Sequence, residues 1–284
     1  MIRLDAATVL LQWSVGGLLF LWVTTRRRQV GIGYGWLLRS VYGVMALGAF
    51  AVGAWIDPVP VREASALAVA MAAAVALAVS VVQRRAGVAG ERERIERRSA
   101  RVAAMTGIDR RTDGPDADAA EFPPALDLIA PVVGVPGLVA AGIAAGDPAL
   151  LSVVRVLVGA AFLGSISDGM LLGHWYLVQP GLTRGPFLEM VRWTAIIWPF
   201  EVVALLWSTG MGSVLSGSID DGYGGTLGWF WVACAVATIG LVIVTRAALR
   251  ERYYSAVMAA TGLLYLAILT AFGTDLVARA VLAT

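Results

Sequence analysis

Stretches of about twenty apolar residues, each long enough to cross the hydrocarbon core of a bilayer, recur along this 284-residue chain between short polar segments. In lipid every backbone polar group must be satisfied internally, so a chain of this kind folds as a helical bundle or closes as a β-barrel. The strand-period alternation of a barrel is not present. The expected fold is therefore an all-α, polytopic bundle forming a single transmembrane domain over residues 1–284. Composition argues against a water-soluble domain, since 58% of the residues are hydrophobic and only 15% are charged.

About eight spanning helices are expected: 6–25, 35–56, 64–82, 126–145, 149–178, a sixth opening at Gly185-Pro186, 226–244 and 254–273. Arg26-Arg27-Arg28 follows the first of them, and the positive-inside rule assigns that end to the cytoplasm. Both termini are then outside. A cleaved signal peptide has its charges first, so the opening segment is expected to remain as a helix. In this layout 18 of the 22 arginines are cytoplasmic, and Arg3, Arg62, Arg155 and Arg279 fall in the outer half. Eight of the ten tryptophans lie at the two interfaces, all but Trp13 and Trp198. Arg39 is expected to snorkel to the cytoplasmic interface. Pro131 and Pro136 should kink or partly unwind the fourth helix, and Asp275 and Arg279 should lie beyond the end of the eighth.

Residues 83–125 form the one sizeable polar region, a charged cytoplasmic loop. Val88, Ile95 and Val102 recur at seven-residue spacing, which predicts a helical first half. Gly114-Pro115 and the acids around them predict a flexible second half. The absence of lysine and asparagine reads as a GC-rich coding bias. The expected location is the inner (cytoplasmic) membrane of a bacterial cell, crossed several times.

Chemistry concentrates between Ala149 and Trp207, where Arg155, Asp168, His174, Glu189, Arg192 and Glu201 interrupt two apolar helices. An ionised group at the bilayer centre costs roughly 2.5–3.5 kcal/mol on insertion scales, so each needs a partner or a purpose. At about 1.5 Å rise per residue, Asp168 lies about 9 Å inward of the centre and Arg192 about 12 Å inward. Glu201 lies near mid-depth, with Arg155 about 10 Å outward. The depths suggest two pairs, Asp168 with Arg192 and Glu201 with Arg155. These either fix the register of the hairpin or serve as catalytic groups that handle protons, with Ser165 and Ser167 beside Asp168. His174, the sole histidine, is followed by Trp175 and Tyr176 at the helix end. It reads as an interfacial anchor or, with Trp175, Tyr176 and Trp193, as a quinone-headgroup site in which Asp168 backs the imidazole.

Other chemistries are set aside. One histidine cannot supply a two-histidine haem, and one cysteine, Cys234, excludes an intrachain disulfide and cysteine-based metal clusters. Asp220 and Asp221 read as a solvated loop rather than a metal site. No nucleic-acid partner is expected. The bilayer is one partner, and other membrane or cytoplasmic subunits are expected beside it. The first functional expectation is a subunit of a quinone-linked or proton-handling respiratory complex. The alternatives are a small-solute transporter and a scaffold or assembly factor acting through residues 83–125.

Overall fold

The computed structural model describes residues 4–107, 119–208 and 210–283. Their regular structure is helical throughout: α1 (Ala6–Thr25), α2 (Ile32–Ile56), α3 (Pro60–Val82), α4 (Ala89–Thr106), α5 (Ile129–Ala144), α6 (Ala149–Val178), α7 (Gly185–Leu206), α8 (Met211–Leu215), α9 (Thr226–Ala248) and α10 (Tyr254–Leu282), with 3-10 turns at Arg84–Ala86 and Pro124–Leu128. Seven spans are long and apolar enough to cross a membrane: α1, α2, α3, Pro124–Ala144, α6, α9 and α10. The chain is thus a polytopic helical membrane bundle. The eighth long helix, α7, has 22 residues, about 33 Å at helical rise, but it carries Glu189, Arg192 and Glu201 and does not qualify on apolarity alone. Bulky side chains such as Val44, Val75, Phe200, Trp229 and Leu269 point outward. On a soluble protein such a surface would associate, whereas here it meets lipid.

Helix α1 is the axis of the bundle, the most enclosed of the seven spans, and it touches α2, α5 and α6. Around it, α2, α3 and α5 close one side, while α6, α7, α9 and α10 close the other. Asp5 starts α1 by accepting the amides of Ala7 and Thr8, a side-chain cap of the usual kind. The α1–α6 crossing depends on glycine. A Cβ on Gly164 would stand 2.2 Å from the carbonyl carbon of Gly16, and one on Gly16 would stand 1.8 Å from the carbonyl oxygen of Ala160. The two backbones therefore touch, as small residues permit in membrane helices.

Two expectations are corrected and a third is narrowed. α10 continues past Gly273 to Leu282, so Asp275 and Arg279 are fully buried inside it rather than outside. Arg39 does not snorkel: it is buried and paired bidentately with Asp127, with Nε–Oδ1 at 2.7 Å and Nη2–Oδ2 at 2.8 Å. The segment around Pro131 and Pro136 is not unwound. Pro131 falls in the first turn of α5, where a missing amide costs nothing, and Pro136 lies within a helix that continues to Ala144.

In the polar region 83–125, residues 89–106 form α4, with no fully buried residue. Most of the expected flexible half, residues 108–118, lies outside the described residues. Glu121, just beyond it, is held by Arg28 and Arg92. Its carboxyl lies below the usual glutamate range, chiefly through the hydrogen bond from Arg92.

Candidate functional site

Asp168 is fully buried on α6 and accepts the hydroxyl of Tyr42 at 2.5 Å, while its Oδ2 has no hydrogen-bond partner. Tyr34 donates to its backbone carbonyl at 3.3 Å. The neighbouring serines are engaged locally: Ser167 accepts from the Trp13 indole at 2.8 Å, and Ser165 donates to the Phe162 carbonyl at 2.9 Å. Asp168 thus faces α1 and α2. Arg192 is exposed on α7, and the pairing inferred from depth does not form. Equal height along two helices leaves their rotation open, and here the two side chains turn away from each other.

The aromatic group at the end of α6 also fans out, because consecutive helical residues diverge by about 100°. His174 is exposed and meets Tyr265 of α10, Nδ1 to hydroxyl at 3.3 Å. Trp175 leans on Tyr34, ring centres 5.9 Å apart, and donates to Gln179 at 3.2 Å. Tyr176 turns inward onto Phe187 and donates to the Thr183 carbonyl. Trp193 packs edge-on against Phe20 of α1. Among the described residues no carboxylate is hydrogen-bonded to the imidazole.

A second cluster, at the opposite end of the bundle, gathers charges from three helices and a glutamine from a fourth. Arg279 of α10 holds Asp275 one turn earlier, Nε–Oδ2 at 2.7 Å, and donates to Gln12 of α1 at 2.6 Å. Gln12 in turn donates to the Val156 carbonyl of α6 at 2.6 Å. Gly159 makes room: a Cβ there would be 2.8 Å from the Gln12 amide nitrogen and 3.1 Å from Asp275 Oδ1. Arg155 of α6 donates to the carbonyls of Ala204 and Trp207 at 2.9 and 3.0 Å. It therefore completes the exposed carbonyls at the end of α7, where a cation also suits the helix dipole.

Glu201 of α7 lies within the field of Asp275, Arg279 and Arg155. It is fully buried, and neither of its carboxylate oxygens has a hydrogen-bond partner. The depth argument paired Glu201 with Arg155. The guanidinium is nevertheless committed to backbone carbonyls, and Arg155 and Glu201 do not form a close ion pair. A cavity of about 20 Å³ lies beside the starts of α1 and α3, lined by Asp5, Thr8, Asp57, Arg62 and, from this cluster, Arg279, among others. That is room for one water.

Gln12, Asp275 and Arg279 were not singled out from the sequence. Their signal was the four-residue spacing of Asp275 and Arg279 on a continuing apolar pattern, Val277, Val281 and Leu282. The polar pair read instead as an end. Among the described residues no group of three or more histidine, cysteine, aspartate or glutamate side chains could hold a metal ion. Asp221 serves the backbone: it accepts the amides of Tyr223, Gly225, Leu227 and Gly228 at the start of α9. Compared with family models, with curated proteins and with solved structures, the chain finds no match, so these buried groups are the ground on which a function is argued.

Proposed function

We propose that this protein is a proton-handling subunit of a membrane complex, a redox or proton-coupled transport assembly in the inner membrane of a bacterium, and that Glu201 takes up and releases the proton. The carrying observation is a fully buried carboxylate with two unused oxygens beside two arginines and a second carboxylate. Buried ionisable groups in membrane helices are costly and serve ion or proton paths when they are not simple pairs. Asp275 is paired with Arg279, and Arg155 bonds the end of α7 through Nε and Nη2 with its Nη1 unpartnered, so Glu201 is the carboxylate of this cluster left to exchange. Hard metal ions take six or more oxygens, or keep several waters, and two carboxylate oxygens do not supply that shell. A proton needs only one of them. The small cavity reaching Arg279 supports a water-assisted approach from the α1 end.

The test is proton flux in proteoliposomes under an imposed potential, read with an internal pH dye. Wild-type protein should carry flux, Glu201→Gln should abolish it, Glu201→Asp should retain part, and Arg192→Gln on the exposed face should match wild type. Equal flux in wild type, Glu201→Gln and protein-free vesicles counts against the reading.

A second reading concerns the quinone site. His174 and Tyr265 are both exposed on the outside of the bundle, where a lipid-dissolved quinone has access, and either can donate to a carbonyl. Asp168 has no part in it. Bound-quinone analysis of the purified protein decides: quinone content unchanged in His174→Ala and Tyr265→Phe removes this reading.

A further inference from the structure

The start of α2 lies at the same end of the bundle as the arginine triplet; no side chain caps it by a hydrogen bond, although a Cβ on Gly31 would stand 2.9 Å from the Gln179 Oε1 beside it. Gly31 occupies the capping position and offers no side chain. The first amides of a helix have no carbonyl one turn back, and they carry the positive end of its dipole. Beside them is a cavity of about 30 Å³ lined by Arg28, Gly31, Ile32, Gly35, Arg39, Ser80, Glu121 and Phe122, among others.

A second observation points into the same space. Arg39 is 97% buried by its 3% exposure, and its Nη1 has no hydrogen-bond partner although Nε and Nη2 are taken by Asp127. A Cβ on Gly35 would stand 2.7 Å from that Nη1. Gly35 therefore holds the nitrogen at the cavity wall. Arg39 also lies over the Phe122 ring, 4.3 Å from its centre, which fixes the guanidinium plane. Of the charged side chains, Arg28, Arg39 and Glu121 line the cavity, two positive against one negative, and Asp127 and Arg92 stand behind them as the partners of Arg39 and Glu121. The carboxylate of Glu121 is occupied by Arg28 and Arg92, so it does not complete Arg39.

We propose that this cavity binds a phosphate group through two of its oxygens, one on Arg39 Nη1 and one on the first amides of α2, with Arg28 at the mouth. About 30 Å³ admits roughly two oxygen-sized atoms by the volume one water needs. A phosphodiester, with two non-bridging oxygens and its substituents left outside, fits that limit. The cavity lies where α1 ends, α2 begins and α3 ends, at headgroup depth. A phospholipid headgroup is therefore favoured over free phosphate as its source.

The experiment uses the full-length protein in detergent, with bound lipid read by native mass spectrometry. Phosphatidylglycerol, diacylglycerol and inorganic phosphate are compared for wild type, Gly35→Ala and Arg28→Gln. Gly35→Ala crowds Nη1 out of the cavity with a good helix former. Arg28→Gln changes a half-exposed side chain, so it keeps the test alive if the first variant folds poorly. Wild type should retain phosphatidylglycerol about tenfold more tightly than diacylglycerol, and each variant should lose about that factor, the worth of one charge-assisted contact. Displacement of the lipid by inorganic phosphate, lost in the same variants, assigns the same phosphate site a soluble source. Equal retention of both lipids, or retention unaffected by either substitution, overturns the proposal.

Discussion

Arg279 and Asp275 are 1% and 0% exposed as side chains, so bulk water does little to screen their attraction. Removing one member of such a pair leaves a buried charge without compensation, at roughly 3–5 kcal/mol, whereas removing both is far milder. Arg279→Gln should therefore melt well below wild type, and Asp275→Asn combined with Arg279→Gln should recover most of the difference. Cys234 provides the measurement. It is the only cysteine, it is buried, and a Cβ on Gly273 of α10 would stand 2.6 Å from its sulfur. Reaction with a fluorogenic maleimide on heating consequently reports separation of α9 from α10. A double variant as unstable as the single one would mean that the pair does more than cancel charge. The same residues mark where the sequence was hard to read. A charge in an apolar run is visible, but whether it ends the helix or turns inward depends on a partner elsewhere in the chain, and Gln12 lies 267 positions away from Arg279.

At the scale of helices, two kinds of glycine should separate. Gly164 meets the Gly16 backbone, whereas an added Cβ on Gly240 of α9 meets nothing within 4 Å. Gly164→Ala must push two backbones apart, at about 1–3 kcal/mol for overpacking. Gly240→Ala should be neutral or stabilising by up to about 1 kcal/mol, since alanine loses less backbone freedom. The Cys234 melting assay reads both, and equal effects would show that the α1–α6 contact is not tight. Asp221 supports α9 differently. The backbone amides it accepts, that of Gly225 foremost, hold its carboxyl below the usual aspartate range. A folded value below the unfolded one contributes stability that is present above the unfolded pKa of about 3.9 and lost as the pH falls through the folded value. Protection of the Gly225 and Leu227 amides against hydrogen exchange should fall on that acid side, and Asp221→Asn should remove the dependence. Helix positions were legible because hydropathy marks them. Rotation was not: Asp168 turned to Tyr42 and Arg192 to the surface, because amphipathic contrast is weak when lipid and core are equally apolar.

For the whole molecule, the open question of architecture rests on α7. Seven spans qualify by apolarity, and an odd number would put the chain ends on opposite sides. Helix α7 has the length to cross and packs against α6 and α9. Of its charges, Glu189 pairs with Arg26 at 2.5 Å and Arg27 at 3.2 Å, Arg192 is exposed near the start, and Glu201 is buried with neither oxygen hydrogen-bonded. Between the exposed Arg97 of α4 and the exposed Ser218 after α8, the chain passes through α5, α6 and α7. Three crossings place these two residues on opposite sides of the membrane, whereas two would place them on the same side. In a Cys234→Ala background, Arg97→Cys and Ser218→Cys can be probed in intact cells with a membrane-impermeant maleimide. The positive-inside rule predicts the arginine-rich segments around α4 on the inner side, so Ser218→Cys should label at once and Arg97→Cys only after the membrane is opened. Labelling of both from one side would mean that α7 does not span. That result would also remove the buried setting of Glu201, so the crossing number and the proton reading are tied to the same helix.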